Sequence, residues 1–340
     1  MTVEVFLDDT PGELRAVVER NGRAEHIYIE RADDVPQTRL GARSVGRVRQ
    51  SAPGLKGAFI DVGGGHEAFM PLKGGISAPV GAKVEVEITA ERREQKAPVA
   101  RWIAAGQGDV RLLAAGPTLT QTLERLAPGA GIITGREAIE AGRRAMDEAQ
   151  APAAVPGGLV HVQRTRAMIT VDVDLNAHDM GRARPRDETN RLALKEAARL
   201  IRLNRWGGLV AIDLIGSQHD GQMILKAAKA AFGGDPAVVI GPVNRFGVLM
   251  LSLPWRETPL EEVLYADPAA RRLRPVQLAQ EAVRRLRSAM LEDTGRARIS
   301  LHCGPELATL TGPLVAELGP RAHLKIDAAA GPGVFSIEAE

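Results

Sequence analysis

The run Ile169-Thr-Val-Asp-Val-Asp-Leu175 alternates apolar and polar residues without a break, the period-two pattern of a strand with one buried face. Ile169, Val171, Val173 and Leu175 share that face, and Thr170, Asp172 and Asp174 share the other. A second run, Leu209-Val-Ala-Ile-Asp-Leu-Ile215, is apolar at every position except Asp213, as expected of a strand covered on both faces. An aspartate there needs a partner, because burial alone raises its pKa until the charge is lost. Between the runs, Asp187 to Asn204 reads as a helix started by Asp187 and stopped by Gly207-Gly208. Strand, helix, strand favours parallel neighbours in one sheet, with Asp172 and Asp213 at similar heights near the carboxyl ends, where open α/β sheets place their sites. Two carboxylates in one crevice repel unless a cation lies between them. Oxygen ligands point to a hard ion such as Mg²⁺, which takes one or two carboxylates with phosphate and water and activates water against a phosphodiester. The alternative is that each aspartate caps a strand end or pairs with an arginine such as Arg182 or Arg245.

The helix between the strands sets Arg191, Lys195, Arg199, Arg202 and Arg205 against the apolar stripe Leu192, Leu194, Ala198 and Ile201. The net charge of the chain is only +2, yet Arg184 to Arg205 holds seven basic residues against three acidic ones, and Arg271 to Arg287 six against one. A solvated helix face is the ordinary explanation. Tied to both aspartate strands, however, this helix is expected to bring some of its charge near the acidic pair. Carboxylates flanked by arginines suit a polyanionic substrate, since arginines position a phosphate backbone while the metal does the chemistry.

Aromatic residues make up 3% of the chain, so Phe59 and Phe69, falling together in one glycine-rich stretch, invite individual weighing. Five closely spaced strand-like runs surround them, at 44–49, 56–62, 67–72, 83–89 and 97–104, with turns at Gly63-Gly64-Gly65 and Gly74-Gly75. Five short strands in this arrangement predict an OB-fold barrel. Alternation sets Arg47 and Arg49 on one face of the first strand and Phe59 beside Asp61 on the second. Such barrels bind single-stranded nucleic acid through a basic groove and aromatic platforms. Phe59, Phe69, Arg47, Arg49, Lys56 and Lys96 could form that surface; alternatively both phenylalanines fill the barrel.

The remaining segments frame these two. Residues 2–31 read as strand, short helix and strand, and 118–149 as helix broken at Pro128-Gly-Ala-Gly131. The stretch 151–158 reads as a linker. His219 to Phe232 is a further helix before strands at 237–240 and 246–251, and the tail reads as helix, strand, helix and two strands. A length of 340 residues predicts two or three domains. The single cysteine, Cys303, excludes an intramolecular disulfide and a cysteine zinc ribbon, and reads as a small buried side chain. No apolar run is long enough for a bilayer span and no signal pattern opens the chain, so a cytoplasmic location without membrane association is expected.

Taken together, these runs resemble the ribonuclease E/G family. Gly46-Arg-Val, Gly57-Ala-Phe-Ile-Asp-Val-Gly63 and His66-Glu-Ala-Phe-Met-Pro-Leu-Lys73 resemble its OB-fold RNA-binding segment. Ile169 to Asp174, Glu188-Thr-Asn190 and Leu203-Asn-Arg-Trp-Gly-Gly-Leu-Val-Ala-Ile-Asp213 resemble its DNase-I-like catalytic segment, and Arg245-Phe-Gly-Val-Leu249 a stretch downstream. The resemblance implies Mg²⁺ on Asp172 and Asp213, and RNA held by Phe59, Phe69 and Lys96, with Arg47, Arg49 and Arg245 as further RNA-binding candidates. The family carries asparagine where this chain has Asp174, so Asp174 either adds a third catalytic carboxylate or takes over a hydrogen-bonding role. The family's cysteine zinc link has no counterpart in 257–274, so neither zinc nor a zinc-linked tetramer is expected, and a homodimer stays open. The stretch Gly131-Ile-Ile-Thr-Gly-Arg136 does not keep the arginine-threonine pair of the family's 5′-monophosphate sensor, and most of the rest of the sensor and of the RNase-H-like domain is expected to be missing.

The implied fold is a multidomain α+β and α/β chain: RNase-H-like strands at 1–36, an OB-fold at 37–108, a reduced sensor or linker at 109–158, a DNase-I-like catalytic domain at 159–256 and a small α/β domain at 257–340. The implied function is a Mg²⁺-dependent endoribonuclease acting on single-stranded regions of RNA, in processing or decay that extends to rRNA. The competing expectation is a catalytically weak or inactive RNA-binding protein of the same family.

Overall fold

The computed structural model describes residues 2–74, 76–175, 186–216 and 220–339. Gly75, Arg182, Arg184 and His219, named above, lie outside them. The chain divides into two compact units, one collecting Met1–Val35, Pro117–Ala145 and Leu260–Glu340, the other Pro36–Gly116 and Met146–Pro259.

The first unit opens with β1 (Val3–Asp8), β2 (Glu13–Arg20) and β3 (Arg23–Arg31), an antiparallel meander. The short helix expected between two strands is therefore β2. The local signal for this is Asn21-Gly22, both with positive φ, the pair that suits a two-residue hairpin turn.

In the second unit, β4 (Arg43–Ala52), β5 (Gly57–Gly63), β6 (His66–Pro71), β7 (Lys83–Ala90) and β8 (Val99–Ala105) follow. They pair in the order β5-β6-β8-β7-β4, and β4 closes back on β5. The result is the expected closed five-stranded barrel, with β6 and β8 running parallel and β9 (Arg111–Ala114) added beside β4. Its interior is Val48, Ile60, Val62, Ala68, Met70, Val84, Val86, Ile88 and Ala100, the inward half of each alternating strand.

Returning to the first unit, α1 (Leu119–Leu126) starts at a capping box of Thr118 and Gln121 and sets Leu119 and Leu123 on Val5, Ala16 and Val18. The two-residue β10 (Ile132–Ile133) adds a parallel edge to β1, and α2 (Arg136–Gln150) follows.

The larger sheet of the second unit contains β11 (Ala153–Val155), β12 (Gly158–Arg164), β13 (Ile169–Leu175), β14 (Gly208–Asp213), β15 (Val239–Val243) and β16 (Val248–Leu253), in the order β11-β12-β13-β14-β16-β15. The expected linker at 151–158 is mostly the β11 hairpin, turning at Gly157 with positive φ. Helices α3 (Arg186–Leu203) and α4 (Gly221–Phe232) lie between strands in sequence. Both cover the same face of the sheet, where Ala193, Leu194, Ala197, Ile201, Ile224 and Ala228 pack with Val171, Val173, Val210, Ile212 and Leu249.

The first unit is completed by α5 (Leu260–Leu264), β17 (Tyr265–Asp267), β18 (Arg272–Leu273), α6 (Pro275–Glu292), β19 (Ile299–Cys303), α7 (Pro305–Glu317), β20 (Ala322–Ile326) and β21 (Phe335–Ala339). Cys303 is fully buried in the core of this tail, as expected, and burial pushes its thiol pKa up.

Two arginines of the stretch at 271–287, Arg284 and Arg287, pair with carboxylates at the start of the chain inside this unit. Arg284 pairs with Asp8 and, at 3.0 Å, with Glu13; Arg15 and Arg31 reach Glu13 at 2.9 and 2.8 Å, and Arg287 reaches Asp8 at 3.2 Å. Burial alone would raise the pKa of both carboxyls. Arg284, the Thr10 hydroxyl and Arg15 outweigh it at Asp8, and Arg15, Arg284 and Arg31 at Glu13, so both sit below their ordinary values. A carboxyl with a depressed folded pKa contributes stability at neutral pH and loses it as acid protonates it. Thermal stability is thus expected to fall on acidification from about pH 5 toward pH 2. Arg284→Met should lose about 3–5 kcal/mol in urea unfolding, because it removes the one buried cation that Asp8 and Glu13 share, and it should weaken that acid dependence.

Candidate active site and barrel surface

β13 and β14 are hydrogen-bonded parallel neighbours, and their register sets Asp172 directly opposite Asp213. Alternation puts Val171, Val173, Val210 and Ile212 into the helix-covered core and turns Asp172, Asp174 and Asp213 to the opposite face. All three aspartates are exposed. The expectation that β14 is covered on both faces is corrected here: Leu209 is 41% exposed and Ala211 only partly buried. Two helices cover one side of the sheet and leave the other as an open surface, so the aspartates keep their solvation without a buried counter-charge.

The open surface has further polar residues. On β12, antiparallel to β13, His161 is the register partner of Asp172, and its Nε2 lies 3.8 Å from the Asp174 carboxylate. His161, Gln163, Thr170, Asp172 and Asp174 line one shallow concavity. The loop after β14 is tied by Asn190 of α3, whose amide donates to the Ile215 carbonyl at 3.2 Å and accepts from the Ile215 N–H at 3.0 Å. Asn190 therefore fixes the chain two residues beyond Asp213 from the helix side.

The expectation that α3 brings some of its charge near the aspartates does not hold for Arg199, because this part of the helix packs on the other face of the sheet. Arg199 is buried and bonds Glu196 at 2.6 Å and Glu148 at 2.7 Å, an intramolecular ion-pair cluster. The alternative of an ion pair between the aspartates and Arg245 is not found either. Arg245 lies in the turn between β15 and β16 with its guanidinium over the Phe246 ring at 4.8 Å. Asp172 and Asp213 make no ion pair among the described residues. Among the same residues, no group of three or more His, Cys, Asp or Glu side chains is arranged around a common metal position. The donor set is thus a facing carboxylate pair, which fits a hydrated hard cation and not a fully protein-caged one.

On the barrel, Phe59 and Phe69 are register partners on β5 and β6, with ring centroids 5.4 Å apart and planes at 60°, the edge-to-face geometry that aromatic pairs prefer. Ile60, Ala68 and Met70 fill the barrel in alternation with them, so the rings lie outside it and the alternative that they fill it is set aside. The Phe69 ring rests on the backbone of Gly57, where a Cβ would come within 2.3 Å of it. Arg47 and Arg49 are exposed on β4, and Arg49 donates to Asp61 at 3.1 Å. Lys96 is exposed in the turn between β7 and β8, with its Nζ 3.9 Å from Glu94. Two residues on, the Pro98 carbonyl accepts from the Phe69 N–H at 2.7 Å, which puts this turn at the edge of the aromatic pair.

Barrel and sheet are joined within their unit. The buried carboxylate of Glu91 accepts from the N–H groups of Leu40 and Thr258, and the Glu91 N–H donates to the Arg256 carbonyl at 2.7 Å. Arg93 of the barrel and Arg164 of β12 both lie over the Trp255 ring, at 4.8 and 5.2 Å, a cation–π contact from each side of the joint.

Fold and site define an α/β protein that presents a facing carboxylate pair on an open sheet, joined to a barrel with an outward aromatic pair. The family model described as Ribonuclease E/G family matches residues 138–253, and the match supports membership of the chain in that family. No curated protein matches the chain. Asp172, Asp174, Asp213 and Arg245 fall inside the matched stretch, whereas Phe59, Phe69, Lys96, Arg47 and Arg49 precede it. The family suggests an endoribonuclease role and hence RNA as partner.

His161 and Gln163 fall between the stretch that reads as a linker, 151–158, and the strand that starts at Ile169, and the alternation Val160-His-Val-Gln163 is the signal that reveals them. Sequence reasoning also assigned no role to Asn190 or Phe246. Gly57→Ala tests the seat of the aromatic pair. It forces Phe69 and the Met70 carbonyl outward, so a loss of about 1–3 kcal/mol is expected from overpacking, with shifted ring resonances of both phenylalanines by NMR.

Proposed function

We propose that the chain is a Mg²⁺-dependent endoribonuclease, built from an OB-fold RNA-binding barrel and a DNase-I-like catalytic domain. The observation that carries this reading is the register pairing of Asp172 with Asp213 at one end of an open sheet face. These two carboxylates would hold Mg²⁺, which when bound supplies an activated water and charge stabilisation at the phosphodiester. Asp174, on the same face, orients groups around the pair alongside His161. Phe59 and Phe69 stack unpaired bases, Lys96 and the barrel arginines Arg47 and Arg49 attract the backbone, and Arg245 serves the sheet end. Products with 5′-phosphate and 3′-hydroxyl ends follow from the family resemblance. So does a place in cytoplasmic RNA processing or decay, rRNA included, by a protein that works without zinc and is free to form a homodimer. No helix among the described residues is long and apolar enough to cross a membrane.

Asp213→Asn is the test, measured on labelled single-stranded RNA with Mg²⁺ and with EDTA. Cleavage should fall by on the order of a hundredfold or more, as removal of a metal-holding carboxylate implies, while RNA affinity stays close to wild type. Undiminished Mg²⁺-dependent cleavage in the variant would remove the proposed role of the pair. RNA binding by the wild type with no cleavage in either condition would instead favour an RNA-binding protein that has lost turnover.

A further inference from the structure

Phe246 is the most exposed large hydrophobic side chain among the described residues, at 71%. In a chain with six phenylalanines, Phe6 and Phe232 are buried, Phe335 packs in the tail core, and Phe59 and Phe69 pair on the barrel. Phe246 is the remaining one, carried on the turn between β15 and β16.

The turn is held firmly. The Asn244 carboxamide oxygen accepts from the N–H groups of Phe246 at 2.9 Å and Val248 at 3.1 Å. The Gly247 N–H donates to the Asn244 carbonyl at 3.0 Å, and Gly247 has φ 84°, a left-handed conformation that a glycine adopts without strain. A side chain that costs hydration when exposed is thus projected by four backbone residues whose conformation is fixed. The register also places it. Val248, two residues on, is the partner of Asp213 on the neighbouring strand, so the turn rises from the same sheet end as the carboxylate pair, roughly 7 Å along the strand from it at the usual rise per residue. Arg245, exposed beside it, carries its guanidinium 4.8 Å from the ring centroid. An exposed aromatic ring with a guanidinium over one of its faces is a combination that takes a nucleobase and its phosphate together.

We propose that Phe246 is a base-stacking platform for the nucleotide flanking the phosphodiester held at Asp172 and Asp213, with Arg245 on the adjoining phosphate. The inference rests on the ribonuclease reading and adds to it a second aromatic subsite, separate from the barrel pair, that grips unpaired bases next to the cleavage point.

The experiment scans a single 2-aminopurine along a single-stranded RNA decamer and records its fluorescence on binding to the full chain in EDTA. Stacking quenches 2-aminopurine, so the wild type should show quenching at one position that Phe246→Leu abolishes and Phe246→Trp restores. Phe69→Leu should abolish quenching at a different position. Phe246→Leu should also weaken binding of the decamer by about tenfold, and weaken it less when the base at its position is replaced by an abasic site. The same quenching pattern in wild type and Phe246→Leu would overturn the proposal. So would a change of oligomeric state in Phe246→Leu with unaltered quenching, which would make the ring a contact between copies of the chain. Both results leave the Asp213→Asn outcome free to stand, so failure of this subsite is distinguishable from failure of the ribonuclease reading.

Discussion

The parallel hydrogen bonding of β13 to β14 is the constraint on which the rest of the site depends. Strand alternation decides which face each aspartate takes, but only the register puts Asp172 opposite Asp213. A slip of one residue would turn one carboxylate into the hydrophobic core. That slip is prevented from the buried side, where Val171, Val173, Val210 and Ile212 interlock with α3 and α4. The carboxylates themselves contribute no attraction and would repel. Their juxtaposition is imposed by apolar burial on the far side of the sheet and by Asn190, which anchors the loop beyond Asp213 from the same helix.

Arginine is spent in two ways in this chain. Arg199 and Arg284 are buried and neutralise carboxylates of their own unit, where removing one partner costs far more than the pair contributes. Arg47, Arg49 and Arg245 remain exposed. Clusters of arginine along the sequence therefore do not locate an anion-binding surface. In 271–287, Arg284 and Arg287 belong to a buried network with Asp8 and Glu13, and in α3 Arg199 makes a helix-to-helix ion pair on the helix-covered side of the sheet.

Aromatic residues are spent in the opposite sense. With so few available, the fold leaves three phenylalanines on outward positions, two braced against each other over Gly57 and one on a fixed turn. The joint made by Glu91 and Trp255 links the barrel to the sheet through two arginines stacked on one indole, so the aromatic pair and the carboxylate pair belong to one compact unit. An exposed ring carries a hydration cost that only a ligand or a partner recovers.

Period-two alternation was enough, without coordinates, to read β13, the barrel strands, and the placing of Asp172 with Asp174 and of Phe59 with Asp61, because side-chain direction in a strand follows from local geometry alone. It was also enough to expect parallel pairing around α3. It could not tell whether β14 is covered on one face or two, since an apolar side chain is written the same way in a core and on an open sheet. Nor could it tell that β2 is a strand, where hairpin pairing overrides a helix-compatible pattern, or that Arg199 and Arg284 are internal counter-ions, because an ion pair joins residues distant in sequence. Residue types and local faces were set by the chain; which faces meet, and which charges are left over for a ligand, was decided only when the sheets and helices packed.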